Sequence, residues 1–408
     1  MLVQSSFGWV DFEEKDRQKM MDVVRMFQET DTRDELGVGS IRDTFSDLLF
    51  PGSSTIQTRV KYMFFLPWMF LRHEKIKTPS SEIGIKARKD EVALIYALLA
   101  SEDTAGVIGY DAKASLQRMP SSVYWAGLKI WGIRRFIGSI EEYYRYLDQF
   151  YFNKKNLIRG DDKEPIDGPQ WESWDPGLPC PPVGFPERAS FDLSRAEAEY
   201  LVDKLLTNCK GSLLAHLVSN TKPAECPFIW EHPDYAGFPD QIHAHVTHAR
   251  NFSFVIHGAA LLYNLMLAEK AVNEELTEKY RSRILEWASK LHHSGILSQP
   301  WSLEDFWGLV SAGSHGVTLA TRRFVEQWIN HVLKYKKPEE VIDDSELRNL
   351  IGKRELVLKR DRARLHNQRA LELWSGAAGT RQLTYRWPVV QGMVNDILTG
   401  LGQVGNNA

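Results

Sequence analysis

Between Arg250 and Glu269 the chain carries no charged residue, and helical spacing extends this apolar run from near Asp240 to about Asn273. A helix that long and apolar on all sides must be surrounded, by lipid or by other helices. Asn251, Ser253, His257, Gly258 and Asn264 interrupt the run, and no second span or aromatic belt accompanies it. The sequence therefore predicts the buried centre of a helical bundle and no membrane contact.

The rest of the pattern is also helical. Asp11 with Glu14, Ser40 with Asp43, and Ser139 with Glu142 fit the cap-x-x-acid signature that opens a helix. Thr55 to Phe65 is expected to begin a helix ending near Pro67. Lys86 to Ala100 follows with Val92, Leu94, Ile95, Leu98 and Leu99 inward. The run AKASLQRMPSSVYWAGLKIWGI outlines a candidate helix-turn-helix in which Lys113, Arg118, Lys129, Arg134 and Arg135 would suit phosphates, unless Trp125 and Trp131 simply fill its core. Pro, Gly and Asp dominate residues 154–190, although Trp171 and Trp174 imply that this stretch packs against something. Alternating strands are scarce.

The fold class expected is mainly α: an N-terminal helical domain with a candidate helix-turn-helix, and a C-terminal helical bundle with a basic terminal segment. The expected divisions are a helical domain over 1–153, a junction over 154–190, a bundle over 191–338, and an acidic-then-basic segment over 339–408.

A chain of 408 residues has room for two or three cores. Three cysteines without paired spacing point to a reducing compartment, and MLVQSSFGWVDF lacks the pattern of an export signal, so a cytoplasmic location is expected. A net charge of −3 gives no global pull toward nucleic acid, so local charge must decide.

Local charge gathers in three places. Near the N-terminus, Arg33, Asp34, Glu35, Arg42, Asp43, Asp47 and Arg59 lie among short apolar groups. Buried charges survive only when paired, so an ion-pair network is expected. The catalytic alternative has Asp34, Glu35, Asp43 and Asp47 holding Mg²⁺ for phosphodiester hydrolysis. Along the central helix, His243, Arg250, His257 and Asn264 recur every seven residues as one polar stripe. Its simplest role is to satisfy loop carbonyls or acids, and its chemical alternative is a cleft with His257 as acid or base. HAHVTH lacks the spacing of a zinc site, and neither a metal nor a cofactor is expected. Finally, KRELVLKRDRARLHNQRALELW, read as a helix, and the following TRQLTYRW carry Lys353, Arg354, Lys359, Arg360, Arg362, Arg364, Arg369, Arg381 and Arg386. These are candidates for nucleic-acid phosphate, the alternative being docking on the acidic patch before them or on a protein.

GWVDF, TRDELGVGSIRD, LLFPGSSTIQTR, FFLPW, RMPSSVYWAGLKIWGI, LPCPPVGFP, HARNFSFVIHGAALLYNLMLAE and YRWPVV resemble an uncharacterised bacterial family known only as a domain of unknown function (DUF6361). The resemblance spans nearly the whole chain. It implies genomic company with helicases, nucleases and anti-phage defence genes, and no catalytic residues. The expected function is a non-catalytic accessory subunit engaging DNA, or a helicase or nuclease subunit, in bacterial genome defence. The alternatives are a metal-dependent phosphodiester hydrolase and a scaffold that binds only protein.

Overall fold

A computed structural model of the chain describes residues 34–157, 172–298, 301–335 and 337–402. Fourteen α-helices and no strand occur among the described residues, and an isolated bridge joins Arg134 to Trp174. The class is mainly α, as its periodicities require. The helix expected after Asp11 and the side chain of Arg33 lie outside the described residues.

The helices are α1 (Gly39–Leu49), α2 (Tyr62–Lys75), α3 (Ser80–Leu99), α4 (Pro120–Ile130), α5 (Ile140–Leu157), α6 (Arg195–Asn208) and α7 (Leu213–Asn220). They continue as α8 (Asp240–Lys270), α9 (Glu274–His293), α10 (Leu303–Ala312), α11 (Leu319–Val332), α12 (Ser345–Lys359), α13 (Gln368–Glu372) and α14 (Trp387–Gly400). Side chains close many of their N-termini. Ser194 and Glu197 form a reciprocal capping box at α6, and Ser212, Asn273, Ser302, Thr318 and Asp344 cap α7, α9, α10, α11 and α12. Ser139 and Glu142 exchange the same pair of bonds ahead of α5.

The chain divides into two compact units, each assembled from separated segments. Among the described residues, unit 1 takes those within 34–42 and 248–383, and unit 2 those within 43–247 and 384–402. Of the stretch expected as a junction, the described residues 154–157 and 172–190 fall within unit 2.

Unit 2 is built on α2, whose residues from Tyr62 to Phe70 are all buried. The expected helix over Thr55 to Phe65 is displaced: α2 starts at Tyr62 and runs through Pro67 to Lys75. An interior proline costs about 3 kcal/mol. Burying Phe64, Phe65, Trp68 and Phe70 contributes about 2 kcal/mol each, so the helix persists through the proline. Trp174 stacks on Phe70 at 5.6 Å, while Ser173 and Asp175 exchange backbone bonds with Arg135 and Ile133. α14 closes the unit by packing on α6 and α7.

The segment read as a helix-turn-helix lies in the same core. Its first element is a single 3-10 turn, Lys113–Ser115, and α4 buries Val123, Tyr124, Trp125 and Leu128. Arg134 is buried, stacks on Trp125 at 4.3 Å and donates to the carbonyls of Trp125, Phe136 and Gly138.

Unit 1 gathers around the part of α8 from Phe252 to Ala268, most of which is buried. α9 packs on the 3-10 turn Pro338–Ile342, and α11 packs on α12. The basic segment is not one helix. α12 stops at Lys359, Arg360 takes φ +49°, and a 3-10 turn leads on toward α13. The cause is Glu355, whose carboxylate accepts the backbone N–H groups of Arg364 and Leu365 and folds the chain back over α12.

Candidate functional site

The acids near the N-terminus are occupied, each in a different way. The Asp34 carboxylate accepts the N–H groups of Val38 and Gly39 at 2.7 and 2.6 Å, closing the start of α1. That corrects the expected capping role of Ser40, which lies inside the helix. Glu35 is buried in unit 1 and takes the ammonium of Lys359 and, at 3.1 Å, the guanidinium of Arg364. Lys359 also donates to the Tyr263 hydroxyl at 2.9 Å, and that hydroxyl donates to the fully buried Glu355. Burial, then the Glu355 charge, pushes the Tyr263 phenol well above its usual range and keeps it a donor. Two acids and two cations thus pair in a largely buried corner.

Arg354 completes this corner. Its guanidinium donates to Leu36 O at 2.8 Å, Gly37 O at 3.1 Å and Thr321 Oγ1 at 2.8 Å, and lies over Phe324. The left-handed Gly37, φ +69°, is needed here, because a Cβ would sit 2.6 Å from the Arg354 guanidinium.

Within unit 2, Asp47 pairs with Arg386 at 2.6 Å, and Arg386 also donates to Ser53 O. Arg59 bridges Asp103 and Asp396 and lies 4.7 Å from the centre of the Phe191 ring. Burial raises the Asp396 carboxyl, and Arg59 pulls it back. Arg42 and Asp43 lie on α1 and have partners as well. The charges of the N-terminal signature are therefore structural in their visible contacts. No cluster of three metal-ligating side chains occurs among the described residues.

The structure sorts the nine basic candidates. Arg354, Lys359, Arg364 and Arg386 are engaged internally, whereas Lys353, Arg360, Arg362, Arg369 and Arg381 are exposed. Arg381 has an interaction within the protein. Lys353, Arg360, Arg362 and Arg369 have no ion-pair partner among the described residues. Lys353 lines a hollow of about 520 Å³ with Met266, Arg348, Leu356 and His366. Arg360 lines a second, also of about 520 Å³, that shares Leu356 and His366. Leu356, Val357 and Leu358 are exposed beside them, and Asp361 and Glu372 interrupt the positive face.

The heptad stripe on α8 does not act as one unit. His243 stacks on Tyr235 at 4.7 Å in unit 2. Arg250 reaches the Asn251 side chain in unit 1. His257 Nε2 donates to Thr380 O at 3.1 Å, and Asn264 Nδ2 donates to Ala378 O at 2.8 Å. Ser253 adds a bond to Leu383 O, and Tyr280 one to Gly376 O. These side chains hold the irregular stretch 376–383, whose backbone has no sheet to satisfy it. Burial, with Arg283 and Lys290 adding to it, draws the His257 pKa down to about 4 against the pull of the Thr380 carbonyl, leaving a neutral ring.

Sequence reasoning overlooked two buried groups of unit 2. Glu91 on α3 accepts the N–H and hydroxyl of Ser121 at the start of α4, and burial raises its pKa to about 7. Lys61 is buried against Glu197 at 2.7 Å and donates to Asp192 O. Glu91 had a signal: it shares the spacing of Leu94, Ile95 and Leu98, where an exposed glutamate does not belong. Lys61 had none, since its partner stands 136 positions away.

With that geometry in place, comparison with known proteins adds one match. A family model described as a family of unknown function, DUF6361, matches residues 4–400. No curated protein and no solved structure matches the chain.

Proposed function

The chain belongs to the DUF6361 family, whose description assigns no activity, and from its side chains we propose a non-catalytic accessory subunit that engages the backbone of DNA through unit 1. The supporting observation is the sorting of cations around α12. Arg354, Lys359 and Arg364 are spent inside the protein and make a fixed platform, while Lys353, Arg360, Arg362 and Arg369 stand exposed around the hollows. Exposed cations on rigid supports give salt-dependent, sequence-tolerant phosphate contacts. The acids of the N-terminal signature, engaged as a cap and in ion pairs, favour this reading over metal-dependent hydrolysis. The genome-defence setting comes with the family resemblance and not from any side chain.

The test is fluorescence anisotropy of a labelled duplex at several salt concentrations. Up to four phosphate contacts give a slope of log K against log salt of roughly −3 to −4. Combined reversal of Arg360, Arg362 and Arg369 to Glu should flatten that slope. Absence of binding at low salt, or a slope indifferent to the reversal, would refute the reading. A Mg²⁺-dependent cleavage lost in a folded Asp43→Ala protein would establish the hydrolase instead. A protein partner is the second reading, favoured by the consecutive exposure of Leu356, Val357 and Leu358.

A further inference from the structure

A cavity among the described residues of unit 1 plays no part in the DNA-facing reading. It lies between α8 and α9, has a volume of about 110 Å³, and is lined by His257, Arg283, Trp287, Lys290 and Gln382, among others. We propose that this cavity is a binding site for a single phosphate-sized oxyanion.

The volume suits that ligand. About 110 Å³ holds several waters, enough for one tetrahedral oxyanion. The shape is set by packing. Trp287 donates through Nε1 to Phe254 O at 2.7 Å and fills the notch at Gly258, where a Cβ would stand 2.3 Å from the indole. The wall on that side is therefore fixed and apolar.

The polar groups are donors. Arg283 and Lys290 lie seven positions apart on α9, on the face shared with Trp287 and Glu286. Arg283 commits Nη2 to Thr380 O at 2.9 Å, and its other N–H groups make no hydrogen bond within the described protein. The Gln382 amide nitrogen is buried and has no hydrogen-bond partner. A native interior seldom leaves an amide donor unmade, and an acceptor-rich ligand would satisfy it. His257 contributes no charge, since it remains a neutral ring holding Thr380 O. The only acid in the lining, Glu286, is exposed. Two cations and an orphan amide against one solvated carboxylate favour an anion, and its tetrahedral acceptors match the three donors.

This site is independent of the DNA-facing surface, so either can fail alone. The experiment titrates inorganic phosphate, sulfate and acetate into the full chain by calorimetry, in parallel with Lys290→Gln and Gln382→Leu. Lys290 is exposed, and Gln382→Leu removes a donor that holds nothing in the fold. Saturable one-to-one phosphate binding is expected, with sulfate competing and acetate weaker. Each substitution should weaken it roughly tenfold or more. In the unliganded protein the His257 ring signals should titrate at low pH, and saturating phosphate should move that titration upward. Absence of saturable binding, an affinity in both variants equal to that of the unsubstituted protein, or a His257 titration unmoved by phosphate would overturn the assignment.

Discussion

Replacing Glu91 by Gln should make unit 2 more stable at neutral and alkaline pH, and the gain should vanish in acid. The Glu91 carboxyl is 2% exposed and receives two hydrogen bonds from Ser121, yet burial outweighs them and raises its pKa from 4.5 to about 7. The folded state therefore prefers the protonated acid. Its contribution is fully present below about pH 4.5 and is lost as pH rises through about 7. At about 1.4 kcal/mol per pKa unit, the loss is about 3 kcal/mol. Glutamine reproduces the protonated acid: its oxygen accepts the Ser121 N–H and its amide donates to the Ser121 hydroxyl. Urea unfolding of both proteins across this window isolates Glu91, because every other titrating group is common to the pair. The stability difference should grow by about 3 kcal/mol between acid and mildly alkaline pH with an unchanged m-value. A difference that stays constant with pH would show that Glu91 titrates as an exposed carboxylate and would refute the argument.

Arg354→Met should destabilise unit 1 by about 3 kcal/mol in urea unfolding, since it strands the carbonyls of Leu36 and Gly37 and the Thr321 hydroxyl. A cost near zero would mean that this guanidinium is available to a ligand. His257→Gln should remove an acid sensitivity of opposite sign to that of Glu91. The His257 pKa is depressed to about 4, so its stabilising share is present above about pH 6.5 and falls by about 3 kcal/mol as the pH drops to 4. Thermal unfolding of both proteins between those limits measures it, and identical slopes would exclude the assignment. Gly127→Ala should destabilise unit 2 by about 1–3 kcal/mol despite alanine's better helix propensity. Its Cβ would lie 2.5 Å from the Gly52 carbonyl, a backbone atom that cannot swing aside.

Local features of the fold were readable because they depend on neighbours in sequence. Ser139 with Glu142 is a capping box in both pattern and geometry. The two groups beside the proposed oxyanion site, Arg283 and Lys290, share a face that helical spacing alone places together. Pro67 misled because propensity is a local cost, and the aromatic burial that overrides it is not local. The basic C-terminal segment misled differently. As a string, Arg354, Lys359 and Arg364 are indistinguishable from Arg360, Arg362 and Arg369.

What the sequence by itself determined is the helical class, most helix positions, and the burial of the uncharged heart of α8. These follow from period, capping chemistry and the cost of exposing apolar surface, which act within a few residues. Only the tertiary structure decided which charges are internal. Glu35 meets Lys359 across 324 positions and Arg59 meets Asp396 across 337. A charge is held inside when an opposite charge or a carbonyl arrives to replace water, and that partner is delivered by the fold. The same long-range packing turned one basic segment into two populations, one spent on the core and one facing solvent.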